Sequence, residues 1–150
     1  MGSGKNHLGN GTFRTYLFSV ISGTITEMFG MKFEIIKLDT DKNGTHTSLP
    51  MYSATSDGYL CLGKDGLPKQ LRLFKNHRAA MDFDWSHPHY NNPAVGGNGD
   101  RFPKGVVHVQ PYSQSSDNRY SMNARYMNNE EMATIGKVIH HYNPNVKFRP

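Results

Sequence analysis

The spacing of the hydrophobic residues changes near residue 30. Before it, apolar side chains recur with the spacing of an amphipathic helix, at positions 13, 16, 17, 20, 21, 25 and 28. After it, short apolar runs and two-residue alternation predict strands, over 33–38, 51–55, 58–63, 70–74, 79–85 and 104–112. We therefore expect a helical linker segment over 1–30 and one compact domain over 31–150.

A second helix is predicted near the end of the chain. Asn128 and Glu131 have the spacing of a capping box, and the apolar residues that follow share one helical face: Met132, Ile135, Ile139 and Tyr142. The runs 51–55 and 58–63 are expected to pair as a hairpin. The predicted fold class is α+β, with an antiparallel twisted sheet of about five to six strands, an N-terminal helix and a C-terminal helix.

The charge balance favours a polyanionic partner. Seventeen Lys and Arg residues against twelve Asp and Glu give a net charge of +5 and a pI near 9.4. Nucleic acid is the first candidate for such a chain, and an acidic protein is the second. The single cysteine, Cys61, cannot form an internal disulfide, so the fold must hold in a reducing compartment. No apolar run reaches the roughly 20 residues of a membrane span, so no membrane partner is expected.

The stretch DFDWSHPHY, residues 82–90, concentrates titratable side chains. Strand alternation puts Asp82 and Asp84 on one face, opposite the apolar residues of the same strand. Pro88 keeps the preceding residue extended, so that His87 and His89 project to roughly the same side. The sequence therefore predicts a polar cluster at the end of strand 79–85.

A second polar face follows on strand 104–112. If this strand pairs with strand 79–85, the two polar faces merge and the joining loop lies beside them. The merged face would then display six polar or charged side chains: His87, His89, Arg101, Lys104, His108 and Tyr112.

Phosphodiester cleavage of RNA without a metal fits this set of residues. RNA supplies its own 2′-hydroxyl nucleophile, so an enzyme needs a base, an acid, and cations or donors for the charged transition state. Histidine serves as acid and as base because its pKa lies near neutrality. The predicted catalytic residues are His87, His89 and His108, with Asp84. The predicted substrate-binding residues are Arg101, Lys104, Arg78, Tyr90 and Tyr112, the tyrosines as donors or stacking partners for a base.

Other functional interpretations of the same residues stay open. Asp and His at a spacing of two can bind a metal, but no HExxH pattern occurs and no helix is predicted after His89, so we expect neither a metal site nor a cofactor. A metal-dependent nuclease acting on DNA is the alternative enzyme. A nucleic-acid-binding module without catalysis is the non-enzymatic alternative.

A family resemblance points in the same direction. LPKQLRLFKNHRAAMDFDWSHPHYN, followed by a Gly-rich loop and GVVHVQPY, resembles the C-terminal toxin domains of bacterial polymorphic toxins of the Rhs/YD-repeat or contact-dependent-inhibition type. GNGTFRTYLFSVISGTITEMFG resembles the segment that precedes such toxins. Gln110 stands where that pattern has a second histidine.

The resemblance implies a particular function for the two segments. Residues 1–30 would be a pre-toxin segment and residues 31–150 a nuclease-like toxin domain. The producing bacterium would secrete or deliver it into the cytoplasm of a rival cell, where it would cut RNA, either tRNA or mRNA. A cognate immunity protein would neutralise it.

Overall fold

The computed structural model describes residues 2–7, 13–20, 26–38, 52–53, 56–63, 65–113 and 122–150. Within these ranges the strands are β1 Gly2–His7, β2 Phe13–Val20, β3 Thr26–Met28, β4 Met31–Leu38, β5 Gly58–Leu62, β6 Pro68–Lys75, β7 Arg78–Asp84, β8 His89–Tyr90, β9 Arg101–Phe102, β10 His108–Pro111 and β11 Arg125–Tyr126. The helices are α1 Asn129–Ala133 and α2 Ile135–Tyr142, and a 3₁₀ turn covers Pro93–Val95.

One large sheet dominates the described part of the chain. It contains nine strands, in the order β1-β2-β4-β5-β6-β7-β10-β11, with β3 paired to β4. Its neighbouring strands are antiparallel except for β4 and β5, which run parallel. β8 and β9 form a separate two-stranded ribbon. The mixed α+β class is thus confirmed, whereas the predicted five to six strands, all antiparallel, are wrong.

The predicted N-terminal helix is not seen among the described residues of segment 1–30. Residues 13–20 and 26–28 are strands, and β2 pairs with both β1 and β4. The stretch FRTYLFSV is rich in aromatic and β-branched residues, which favour a strand once a neighbouring strand supplies backbone hydrogen bonds. β3 ends before residue 30, β4 begins after it, and the two strands pair with each other. The domain boundary proposed at residue 30 stays a prediction.

The predicted hairpin of 51–55 with 58–63 is also wrong for the residues that the structure describes. Tyr52 bridges to Arg78, and β5 lies between β4 and β6. The alternation of β5 gives the reason. Its apolar side chains alternate between two faces that are both buried, so it is a central strand of the sheet and takes a neighbour on each side.

One face of the sheet packs against α2. A row of opposed, buried residues runs across five strands on this face: Ile35, Leu60, Leu71, Phe83 and Val109. Apolar residues of α2 belong to the same core cluster: Ile135, Val138 and Ile139. Burying this face removes the apolar side chains of β7 and β10 from water, so their polar side chains lie on the opposite face.

The C-terminal helix is confirmed as two consecutive helices. The Asn128 side chain accepts a hydrogen bond from the Glu131 amide, and the Glu131 carboxylate accepts one from the Asn128 amide, which is the predicted capping box. Thr134, with φ −115° and ψ −80°, separates α1 from α2. Neither helix is both long and apolar enough to cross a membrane, and the described residues hold no other α-helix.

Candidate active site

A row of polar side chains crosses the face of the sheet opposite α2. β7 pairs with β10 so that Asp84 lies opposite His108, and Gln70 of β6 and Tyr126 of β11 extend the row on either side. Residues directly opposite each other in antiparallel strands project to the same face. Two chain segments that are 24 residues apart thus place a carboxylate and an imidazole side by side.

Asp84 holds His87 in the loop that follows β7. One carboxylate oxygen, Oδ1, accepts hydrogen bonds from the amide and hydroxyl of Ser86, at 2.9 and 3.2 Å. The other, Oδ2, lies 3.3 Å from Nε2 of His87. Burial raises the pKa of the Asp84 carboxyl, while His87 and Ser86 act in the opposite direction. The His87 side chain is 62% exposed, so this imidazole contacts the Asp84 carboxylate and is also open to solvent.

His108 lies at the centre of the histidine group. Its ring centroid is 5.2 Å from that of His89, in a stacked arrangement, and 6.1 Å from that of His87. Only 1% of His108 is exposed, and its Nδ1 has no hydrogen-bond partner among the described residues. Burial, followed by the neighbouring imidazoles, lowers the pKa of His108 to about 4. His108 is therefore uncharged near neutral pH.

The tautomer of His89 follows from its hydrogen bond to Asn91. The Asn91 amide is oriented by Ala124, whose N–H donates to Oδ1 and whose carbonyl accepts from Nδ2. Nε2 of His89 lies 3.1 Å from Oδ1, which is an acceptor. Nε2 must therefore carry the proton, and in the neutral ring the lone pair is on Nδ1.

A buried ion pair lies next to the histidine group on the same face. Arg72 donates to both carboxylate oxygens of Asp82, at 2.6 and 2.8 Å. The Tyr112 hydroxyl accepts from Arg72 at 2.8 Å and donates to Asp82 at 2.7 Å. Burial opposes the charge on Arg72, but Asp82 raises the pKa of the guanidinium overall. Burial also raises the pKa of the Tyr112 hydroxyl. The structure thus places Tyr112 in an internal network.

Arg101 and Tyr90 lie on the outer face of the ribbon. Tyr90 pairs with Arg101, and His89 pairs with Phe102, so the two pairs project to opposite faces. His89 and Phe102 contact His108, and the Arg101 guanidinium carbon stacks 3.8 Å from the Tyr90 ring centroid. A recess of about 400 Å³ is lined by residues of both faces, including Arg101 and His89. Arg101 therefore borders the histidine group without contacting it.

The other two predicted cations, Lys104 and Arg78, are not among the residues that line this recess. Lys104 lies in a turn after β9 and borders a different recess, lined also by Ser86 and Trp85. Arg78 begins β7 and Asp84 ends it, and the six residue-to-residue steps of strand between them span about 20 Å. The structure thus brings together Asp84, His87, His89 and His108, and it does not bring Arg78 to them.

Three residues of this region were missed in the sequence. The sequence pattern could have indicated Arg72, because alternation in QLRLF puts its side chain on the face opposite Leu71 and Leu73. No local sequence pattern indicated Asn91, since its role depends on a hydrogen bond to Ala124, 33 residues away. Arg149 stacks over the Tyr126 ring at 5.6 Å, and Tyr126 lies opposite His108. Arg149 is therefore a further candidate cation beside the row.

No family model, curated protein or solved structure matches this chain. What the site can do follows from its own groups. It offers an exposed imidazole beside a carboxylate, a second imidazole with a fixed tautomer, and a neutral buried imidazole between them. Groups of this kind donate and accept protons near neutral pH, and two imidazoles with a carboxylate are also metal ligands.

Proposed function

We propose that the chain is a ribonuclease that cleaves RNA through the 2′-hydroxyl by histidine acid–base catalysis, without a metal. The observation that carries this proposal is that the His108 ring contacts the rings of both His87 and His89, which come from a separate segment, while the Asp84 carboxylate lies beside His87. Acid and base groups contribute about 100- to 10,000-fold each when they are correctly placed. Burial of the surrounding polar row strengthens their interactions with a charged substrate.

His87 is the general acid in this proposal. Oδ2 of the Asp84 carboxylate lies 3.3 Å from Nε2, so it can accept a hydrogen bond from that nitrogen and orient the ring. Its high exposure gives the substrate access, and Nδ1 can then donate its proton to the 5′-oxygen that leaves. The electron pair of the broken P–O bond stays on that oxygen, and the donated proton neutralises it.

His89 is the general base. The hydrogen bond from Nε2 to Asn91 leaves the Nδ1 lone pair for the proton of the 2′-hydroxyl. The deprotonated oxygen attacks the adjacent phosphorus and forms a 2′,3′-cyclic phosphate. His108 stacks on His89 and is buried, so it positions the base and excludes water from one side of it. Arg101, stacked on Tyr90, is the candidate contact for the phosphate or base of a neighbouring nucleotide.

The proposed setting is that of the resembled toxins. The chain is the toxin domain of a polymorphic toxin of the Rhs/YD-repeat or contact-dependent-inhibition type. It is secreted or delivered by the producing bacterium, acts in the target-cell cytoplasm and is neutralised by an immunity protein. Segments 67–91 and 105–112 support this through their resemblance, and the net charge of +5 suits both RNA and an acidic immunity protein. Growth arrest on expression, relieved by the neighbouring open reading frame, is the expected result.

The activity is tested on paired substrates. RNA and DNA of the same sequence are incubated with the protein in EDTA, beside an RNA carrying a single 2′-deoxynucleotide. We expect cleavage of RNA, a cyclic phosphate end, and no cut after the deoxynucleotide. Binding of RNA that stays intact would contradict the proposal and favour a binding module.

A metal-dependent nuclease is the second candidate. It is favoured by one observation: a ligand atom from each of Asp84, His87 and His108 lies within 4.8 Å of the others. Loss of cleavage in EDTA and its return with a divalent ion would favour this candidate. Cleavage of DNA as well as RNA would do the same, because a metal-activated water does not need the 2′-hydroxyl.

A further inference from the structure

We propose that Asp84, His87 and His108 form a binding site for a zinc-class divalent ion, with three protein ligands and one open position. The site is inferred from geometry and donor chemistry, and it does not depend on whether the chain cleaves RNA. The sequence leaves a metal-dependent nuclease as an alternative without indicating its ligands, and the resemblance assigns no metal to these residues.

The donor atoms have nearly the spacing that a zinc ion requires. Zinc binds imidazole nitrogen and carboxylate oxygen at about 2.0–2.1 Å in tetrahedral geometry, which puts two ligand atoms about 3.3–3.4 Å apart. Oδ2 of Asp84 and Nε2 of His87 are already 3.3 Å apart. One ring nitrogen of His108 completes the group, with all three atoms within 4.8 Å of one another. Closing the longest separation to the tetrahedral value takes a movement of about 1.5 Å, shared between side chains.

Two of the three ligands are held in place by their neighbours, and the third can adjust. Asp84 is held by Ser86 through Oδ1, which leaves Oδ2 for the ion. His108 is packed against His89 and Phe102 and is 1% exposed. His87 lies on an exposed loop. Supported ligands lower the cost of ordering a metal site, and the exposed imidazole leaves a path for the ion to enter.

The donor set determines which kind of ion the site can bind. Mg²⁺ and Ca²⁺ need six or more oxygen ligands, and this group supplies one carboxylate. The nearest further carboxylate, Asp82, is engaged by Arg72 and Tyr112. Two imidazoles and one carboxylate instead match the donor set of zinc sites that keep a position for water or substrate. The site therefore selects a borderline-soft transition ion over a hard one.

Binding has a consequence for the proposed ribonuclease. An ion on His87 and His108 occupies their lone pairs, and it withdraws His87 from proton transfer. Zinc is therefore expected to inhibit metal-independent cleavage. This consequence rests on the proposed function, whereas the binding itself does not.

The test is calorimetric titration of the EDTA-treated, dialysed chain with zinc chloride, and separately with magnesium chloride. The variants are His87→Ala and Asp84→Asn. His141→Ala is the matched control, because His141 is an exposed histidine on α2 that contacts only Tyr142 among the described aromatic residues. Circular dichroism confirms that each variant is folded, and Asp84→Asn keeps the shape of the side chain if His87→Ala is unstable.

We expect one zinc ion per chain at this site, at least tenfold weaker in both site variants and unchanged in His141→Ala. Weaker binding by other histidines should persist in all four proteins. Equal zinc affinity in wild type and both site variants would overturn the proposal, as would equal losses in His141→Ala or tighter binding of magnesium than of zinc.

Discussion

The buried Arg72–Asp82 pair gives the sharpest stability prediction. Arg72→Met keeps much of the apolar stem but removes both donors to Asp82, which is 4% exposed and retains the Tyr112 hydroxyl. Removing one partner of a buried ion pair costs about 3–5 kcal/mol, because the other charge is left uncompensated. With a urea m-value of about 2 kcal/mol per molar, the unfolding midpoint should fall by about 1.5–2.5 M.

Two further variants make this prediction specific. Arg125→Met breaks the pair between Arg125, 40% exposed, and Glu131, and a pair of that exposure is worth no more than about 1 kcal/mol. Arg72→Met/Asp82→Leu removes both charges and should recover part of the loss, limited by the Tyr112 hydroxyl that is left without them. An Arg72→Met variant as stable as Arg125→Met, or a double variant no more stable than Arg72→Met, would refute the reasoning.

Two other variants test the surroundings of the histidines. Arg101→Ala should weaken RNA binding, measured by fluorescence anisotropy, and reduce the slope of the log binding constant against log salt concentration by about 0.7 per lost phosphate contact. Arg78→Ala, at the far end of β7, should change neither the affinity nor the slope. Equal effects of the two variants would show that Arg101 is not part of the RNA interface. Gly97→Ala should lower the free energy of unfolding by about 1–3 kcal/mol, because a Cβ at this position would overlap the Asn91 backbone carbonyl. An unchanged midpoint of urea unfolding would contradict the close packing of that loop.

The polar face of the site was predictable from local pattern. Alternation in strands 79–85 and 104–112 assigns Asp84 and His108 to polar faces, and antiparallel pairing of β7 and β10 places them directly opposite each other. The proline in His87-Pro88-His89 similarly indicates the extended path of the loop. The alternation and the effect of the proline depend on residues within a few positions of one another, which is where sequence patterns are strongest.

The parts that were missed depend on distant partners. The apolar spacing of residues 13–28 fits a helix, but the structure pairs β2 with β4, and that choice rests on contacts that local spacing does not encode. The fixed tautomer of His89 likewise depends on Asn91 and Ala124. The charge on Arg72 is explained only by the register that places it opposite Asp82.

Histidine acid–base catalysis without a metal is most directly tested by the cleavage rate of a short fluorescent RNA in EDTA. His87→Ala and His89→Ala are compared with wild type and with the His141→Ala control. We predict that each site variant cleaves at least about 100-fold more slowly, with a 2′,3′-cyclic phosphate as the wild-type product and a normal rate for the control. Wild-type rates in both site variants would contradict it.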